Sequence, residues 1–115
     1  MTLDQTSAGD VAVFTCSGDA LGGPDGALLL DALRALDAPA RAVADLGDVR
    51  HMNSSGLGML VGALTHARSS GGDLRLARVS GRVETLLRTT RLLDVFETFD
   101  SPDAAVASFG DGQRG

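Results

Sequence analysis

The sequence predicts an α/β fold with a mixed, mostly parallel sheet of about four to five strands and about four helices. Two observations favour this fold. Short apolar segments of strand length alternate with longer segments in which apolar residues recur at helical spacing. The chain also opens with two strand-like segments that no helix separates, which adds an antiparallel edge. A length of 115 residues fits a single domain, residues 1–115, with one core.

The first third of the chain predicts a hairpin followed by a helix. A strand, a turn, a second strand, a loop and a helix are expected at residues 2–6, 7–10, 11–17, 18–23 and 24–36. Small and polar residues favour the turn. Pro24 suits the first turn of the helix, where an N–H has no helical partner to lose, and Pro39 cannot continue the helix.

The middle of the chain predicts a third strand and a second helix. Ala42–Leu46 is a short apolar run, typical of a strand that is covered on both faces. A polar turn follows it. The second helix has a buried side, because apolar residues recur at helical spacing from Leu57 to Leu64. Gly71 and Gly72 are expected to end this helix as a glycine cap.

The last third predicts a fourth strand, a third helix, a brief edge strand and a last helix. The strands are expected at Leu74–Val79 and Val95–Phe99. Ser101 is expected to cap the last helix, and residues 110–115 should form a flexible tail. The inward-facing residues of these two helices are expected to be Val83, Leu86, Leu87 and Thr90, then Ala105, Val106 and Phe109.

Charge and hydropathy exclude several classes of protein. The net charge is −5, and the ten basic residues are scattered arginines, which argues against nucleic-acid binding. A basic protein partner or an ordinary soluble surface fits this charge. No segment approaches the ~20 apolar residues needed to span a bilayer. Met1–Asp10 lacks the features of a signal peptide, so no membrane insertion and a cytoplasmic location are expected.

The metal-ligating and nucleophilic residue types are sparse. Cys16 lies in an apolar strand, which predicts a buried, inert thiol. His51 and His66 have no neighbouring cluster of ligands and are expected to be an exposed turn residue and a helix-surface residue. The sequence therefore predicts neither a metal site nor a cofactor.

Enzyme motifs are incomplete. The run Asn53-Ser54-Ser55-Gly56 lacks the first glycine of the Gly-x-Ser-x-Gly elbow, and no suitable histidine follows a plausible acid. Gly56-Leu57-Gly58 has neither the spacing nor the lysine of a phosphate-binding loop. These gaps predict a protein that is not an enzyme.

The polar residues before the second helix form the remaining candidate site. Asn53, Ser54 and Ser55 are each suited to capping, and capping alone is a sufficient explanation for any one of them. One helix needs one cap, however, and a helix N-terminus also accommodates a phosphoserine. Nearby glycines lower helix propensity by up to ~1 kcal/mol each, which favours close approach of another protein. These glycines are Gly56, Gly58 and Gly62.

At this segment the chain resembles the STAS domain family, and most of all the bacterial anti-sigma-factor antagonists. The family pattern is an apolar strand, Asp-Leu, a short turn and then Met-Asp-Ser-Ser-Gly-Leu-Gly. The chain reads Asp45-Leu46 and then Met52-Asn53-Ser54-Ser55-Gly56-Leu57-Gly58. Gly71-Gly72 before Leu74-Arg75-Leu76, and Leu92 to Phe99 before Ser101, support the resemblance. It extends from about Val11 to Phe109 and implies a single STAS-like domain.

The resemblance implies partner switching in transcription regulation, of the kind used in stress responses. The unmodified antagonist binds an anti-sigma factor that is also a serine kinase, and thereby frees a sigma factor. The kinase phosphorylates the antagonist, the complex dissociates, and a serine phosphatase resets it. The implied phosphorylation site is Ser55, with Ser54 as second choice. The implied partner-binding residues are Asp19, Asn53, Ser54, Ser55, Gly56, Leu57 and Gly58.

Two departures from the family pattern leave an alternative open. Asn53 stands in place of an acid, and Gly18-Asp19-Ala20-Leu21 stands in place of Gly-Glu-Leu-Asp or Gly-Glu-Ile-Asp. The alternative is a constitutive STAS interaction module that is never phosphorylated, such as a subunit of a lipid-transport or signalling complex. Nucleotide binding, linked to some STAS relatives, has only the glycines in its favour here.

Overall fold

One five-stranded sheet organises the described chain. The computed structural model describes residues 2–21, 28–79 and 81–114, with the backbone alone at 19–21 and 110–114. Within these residues the elements are β1 Thr2–Ala8, β2 Val11–Leu21, α1 Leu28–Arg34, β3 Arg41–Met52, α2 Ser54–Ser69, β4 Asp73–Ala77, α3 Gly81–Thr89, β5 Thr98–Phe99 and α4 Pro102–Arg114. The strand order is β1-β2-β3-β4-β5. β1 is antiparallel to β2, and the other pairs are parallel, which confirms the predicted α/β fold.

The core lies on both faces of the sheet. The larger part packs α1, α2 and α3 against one face, with Phe14, Leu33, Leu60, Leu76 and Leu87 among its buried residues. The smaller part packs α4 against the other face, through Ala105 and Phe109 on Val11, Val43 and Ala77. Side chains alternate along a strand, so β3 contributes to both parts and is covered on both faces, as predicted.

Strands β2 and β3 are longer than predicted, and this determines where the polar segment lies. The predicted turn after Leu46 is wrong, because β3 continues to Met52. The predicted loop at residues 18–23 is wrong over residues 18–21, which belong to β2. Parallel pairing of Gly18 with Val49 and of Leu21 with Met52 extends both strands, after a bulge between Thr15 and Ser17. Residues 22–27, with the expected helix start at Pro24, lie outside the described residues.

The hairpin and the first two helices follow local sequence signals. Ala8 pairs with Val11, so the turn is shorter than predicted, and Gly9 adopts a φ of 62° that favours glycine. α1 ends at Arg34, earlier than predicted. The glycine cap of α2 is confirmed. The N–H of Gly71 donates to Arg68 O and that of Gly72 to Ala67 O, at 3.1 and 2.9 Å, with Gly71 at a φ of 91°.

The last third differs from prediction mainly at element ends. β4 ends at Ala77, and the edge strand shortens to Thr98–Phe99. Thr90 was expected to face inward but is exposed, and its hydroxyl donates to Leu86 O at 2.8 Å. Ser101 caps α4 as predicted, since its Oγ accepts from the N–H of Ala104 at 3.1 Å. α4 continues to Arg114, so the backbone is helical where a flexible tail was expected.

Candidate functional site

The serine segment lies at the sheet edge where the parallel strands end. β3 ends at Met52, and α2 begins at Ser54. The carboxyl ends of parallel strands meet at one edge, which in α/β sheets is where ligands and partners commonly bind. Asp19 lies in β2, between Gly18, which pairs with Val49, and Ala20, which pairs with His51. Its backbone is therefore beside this end of β3, while its side chain lies outside the described residues.

Asn53 is the residue that caps α2. Its backbone is extended, with φ −99° and ψ −178°, and its Oδ1 accepts from the N–H of Gly56 at 2.9 Å. The carbonyl oxygen of Asn53 accepts from the N–H of Leu57 at 3.0 Å, which is the first helical hydrogen bond. The replacement of the family acid by asparagine therefore preserves the cap. It also leaves the first turn of α2 without an acidic residue.

Ser54 and Ser55 have no structural role of this kind. Both are exposed, in the first turn of α2. Within residues 2–21, 28–79 and 81–114, neither hydroxyl has a hydrogen-bond partner. Capping thus explains Asn53 and leaves the two serines unexplained. Their hydroxyls are accessible at a helix N-terminus whose free N–H groups and dipole favour negative charge.

The residues that follow the serines differ in how far they are buried. Gly56 is buried, Leu57 is half-buried against the larger core, and Gly58 is exposed. A Cβ placed on Gly58 would meet no atom of the described residues within 4 Å, so packing among these residues does not require a glycine there. A glycine without an internal reason fits a surface that another protein approaches closely.

An ion pair that the sequence did not predict involves a buried aspartate of β3. Asp45 is 4% exposed and accepts from Arg78 Nε at 2.7 Å and from Arg78 Nη2 at 2.9 Å. Its Oδ1 also accepts from the N–H of Gly47 at 3.1 Å. Arg78 has a φ of 56°, and its guanidinium occupies the space that a Cβ on Gly47 would need. The hydrogen bonds and charge of Asp45 raise the pKa of Arg78 above its ordinary value.

One sequence signal pointed to this pair. An aspartate inside an apolar strand that is buried on both faces needs a cationic or hydrogen-bonding partner. Which residue supplies it could not be read from the sequence, because Arg78 is 33 positions away. The pair joins the middle of β3 to the residue that follows β4, and so ties the two strands together where β4 ends.

A basic cavity opens next to the same end of β3. Its volume is about 410 Å³, and it is lined by Gly47, Val49, Arg50, His51, Gly81 and Arg82. His51 was expected to be an exposed turn residue, but it is half-buried in β3, with its Nδ1 3.1 Å from Arg82 Nη1. His66 lies half-buried on α2.

The thiol of Cys16 is buried, as predicted. Burial, together with the nearby charge of Asp45, raises the pKa of Cys16 to about 12, so the thiol stays protonated and unreactive near neutral pH. In the described part of the chain, His, Cys, Asp and Glu side chains form no group of three or more that could hold a metal ion. No helix within it is long and apolar enough to cross a membrane.

Comparison with known proteins gives a consistent family. The model of the STAS domain matches residues 3–105. The anti-sigma-B factor antagonist of Bacillus subtilis (strain 168) is 38% identical over 52 residues, 45% of this chain and 48% of that protein. The chain therefore matches about half the length of this relative.

Solved structures show the same fold. An anti-sigma factor antagonist from Mycobacterium paratuberculosis has a TM-score of 0.79 at 21% identity, covering 93% of this chain and 92% of that one. The antagonist SpoIIAA in its unphosphorylated form has a TM-score of 0.68 at 13% identity, covering 96% and 99%. At these identities the likeness establishes the arrangement of strands and helices.

Proposed function

Because the chain belongs to the STAS domain family, as its sequence resemblance predicted, we propose that it is an anti-sigma-factor antagonist controlled by phosphorylation of Ser55. In its unmodified form it binds an anti-sigma factor that is also a serine kinase. Phosphorylation releases this partner, and a serine phosphatase restores binding. The chain acts as a regulator and substrate in this cycle, without catalysis of its own.

One observation carries the proposal: Asn53 alone caps α2, while Ser54 and Ser55 stand exposed in the first turn. The capping of α2 is therefore explained by Asn53, without a contribution from the serines. The partial match to a named anti-sigma-B factor antagonist supports the class of partner. SpoIIAA, which has a similar fold, was solved in its unphosphorylated form, and this supports phosphorylation as the kind of regulation.

The position of Ser55 suits a switch that changes binding without changing the fold. A phosphate adds about −1.5 to −2 charges at neutral pH. The N–H groups at the start of α2 stabilise that charge, and the first turn contains no acidic residue to repel it. A partner packed on the same turn would instead have to accommodate a new dianion at a desolvated contact, which weakens the complex.

The test is phosphate incorporation with purified candidate anti-sigma factors that carry a kinase domain. Each is incubated with ATP and this chain, and intact mass followed by fragment mapping locates the phosphate. We expect a single phosphate, which Ser55→Ala abolishes and Ser54→Ala retains. Loss of the phosphate in Ser54→Ala alone would move the site to Ser54.

Binding measurements separate the switch from a constitutive module. Ser55→Asp should weaken binding to the anti-sigma factor, measured by titration calorimetry, and leave the melting temperature close to that of the wild type. A stable complex with no phosphate incorporation, and with equal affinities for the wild type and Ser55→Asp, would favour the constitutive interaction module.

A further inference from the structure

We propose that the cavity lined by Arg50, His51 and Arg82 binds a carboxylate side chain of the partner protein, next to the serine-bearing end of α2. This inference rests on the proposed function, because the carboxylate belongs to the anti-sigma factor. It assigns to the binding surface three residues that precede or lie far from the serine segment in sequence.

The cavity has the size and position for such a contact. Its volume of about 410 Å³ lies between the last part of β3 and the start of α3. Buried Val49 belongs to its lining, and Arg50 is exposed. Only Met52 separates His51 from Asn53, the cap of α2. A protein that packs on the first turn of α2 therefore also reaches this cavity.

The two arginines that line the cavity differ from several other arginines of the described chain. Arg68, Arg75, Arg78 and Arg88 each form an ion pair with an aspartate or glutamate. In contrast, among the residues that the structure describes, neither Arg50 nor Arg82 has a carboxylate within ion-pair distance. Within the described residues, two arginines thus line one cavity without an ion-pair partner, in a chain whose net charge is −5. An acidic side chain from outside would complete this arrangement.

His51 orients the guanidinium of Arg82. Arg82 Nη1 lies 3.1 Å from His51 Nδ1. A guanidinium only donates, so Nδ1 of the imidazole accepts this hydrogen bond. The remaining N–H groups of Arg82 keep the planar fork that matches a carboxylate. The cavity is therefore provided with donors before a ligand arrives.

The start of α3 adds to the preference for an anion. Gly81 and Arg82 are its first two residues, and both line the cavity. The free N–H groups and the dipole at a helix N-terminus stabilise negative charge within the first turn. Two arginines and a helix N-terminus thus favour the same ligand chemistry.

Charge reversal tests the cavity against a matched control. Arg82→Glu and Arg50→Glu are compared with Arg34→Glu, an exposed position in the last turn of α1. Helices that connect parallel strands run antiparallel to them. The last turn of α1, with Arg34, therefore lies near the end of the sheet where the parallel strands begin, away from the cavity. Each change alters the net charge equally. The probe is the purified anti-sigma factor that binds the wild-type chain, measured without ATP by titration calorimetry.

We expect Arg82→Glu and Arg50→Glu to weaken binding at least about tenfold, Arg34→Glu to leave it nearly unchanged, and Arg82→Lys to fall between. Melting temperatures identify any variant that fails to fold. Equal affinities for all three glutamate variants would overturn the cavity proposal and leave the antagonist function standing. If the wild-type chain binds no anti-sigma factor, the proposed function fails, and the cavity proposal fails with it.

Discussion

Gly58 offers a sharp test, because stability and binding should change in opposite directions there. It is exposed in the second turn of α2, and in the part of the chain that the structure describes an added Cβ would meet nothing within 4 Å. Gly58→Ala therefore gains helix propensity, about 0.8–1.0 kcal/mol, with no internal clash. For a chain of this length we expect the melting temperature to rise by roughly 4 °C.

Binding should respond in the other direction. If the anti-sigma factor packs closely on this turn, the extra methyl group of Gly58→Ala overfills the contact at a cost of about 1–3 kcal/mol. That cost corresponds to an affinity lower by about fivefold to 150-fold. Urea unfolding measures the free energy of unfolding, and titration calorimetry with the unphosphorylated complex measures the affinity.

Gly62→Ala is the matched control on the same helix. Its Cβ would lie 3.8 Å from Leu30 Cδ2, an ordinary van der Waals contact. We expect a similar gain in stability with unchanged affinity, because Gly62 faces α1. A lower melting temperature for Gly58→Ala would refute the premise that a Cβ at this position has free space around it. Equal affinities for the two variants would refute close approach of the partner at Gly58.

Three further predictions concern the cap, the ion pair and the thiol. Asn53→Ala should lower the free energy of unfolding by about 1 kcal/mol in urea, since the bond to Gly56 is lost, while Asn53→Asp keeps it; equal losses would contradict this. Arg78→Ala leaves the Asp45 carboxylate without a cationic partner and should lower the free energy of unfolding by about 2–3 kcal/mol, less than for a fully buried pair because Arg78 is 43% exposed. A change near zero would refute a stabilising role of this ion pair. With the pKa of Cys16 raised from 9.0 to about 12, iodoacetamide should label the thiol only after unfolding, and labelling of the native chain would disprove this. The free energy of unfolding should also fall as pH rises from 9 towards 12, because the thiol of the unfolded chain ionises first.

Much of the fold could be predicted because its signals are local. The alternation of strands and helices, the Gly71-Gly72 cap and the Ser101 cap each depend on residues within a few positions of one another. The ends of β2 and β3 could not be predicted in the same way. Residues 18–21 and 47–52 contain glycine, aspartate and other polar residues, yet parallel pairing between the two segments makes both extended.

In the candidate site, too, some features depend on neighbouring residues and others depend on contacts between distant residues. The position of Asn53, Ser54 and Ser55 before a helix is predicted from local residues, because apolar spacing and capping depend on neighbouring positions. The folded structure was needed to show that Asn53 is the cap and that the serines are exposed. The same is true of the contact between His51 and Arg82, which are 31 positions apart, because it depends on how strands and helices pack rather than on their spacing along the chain.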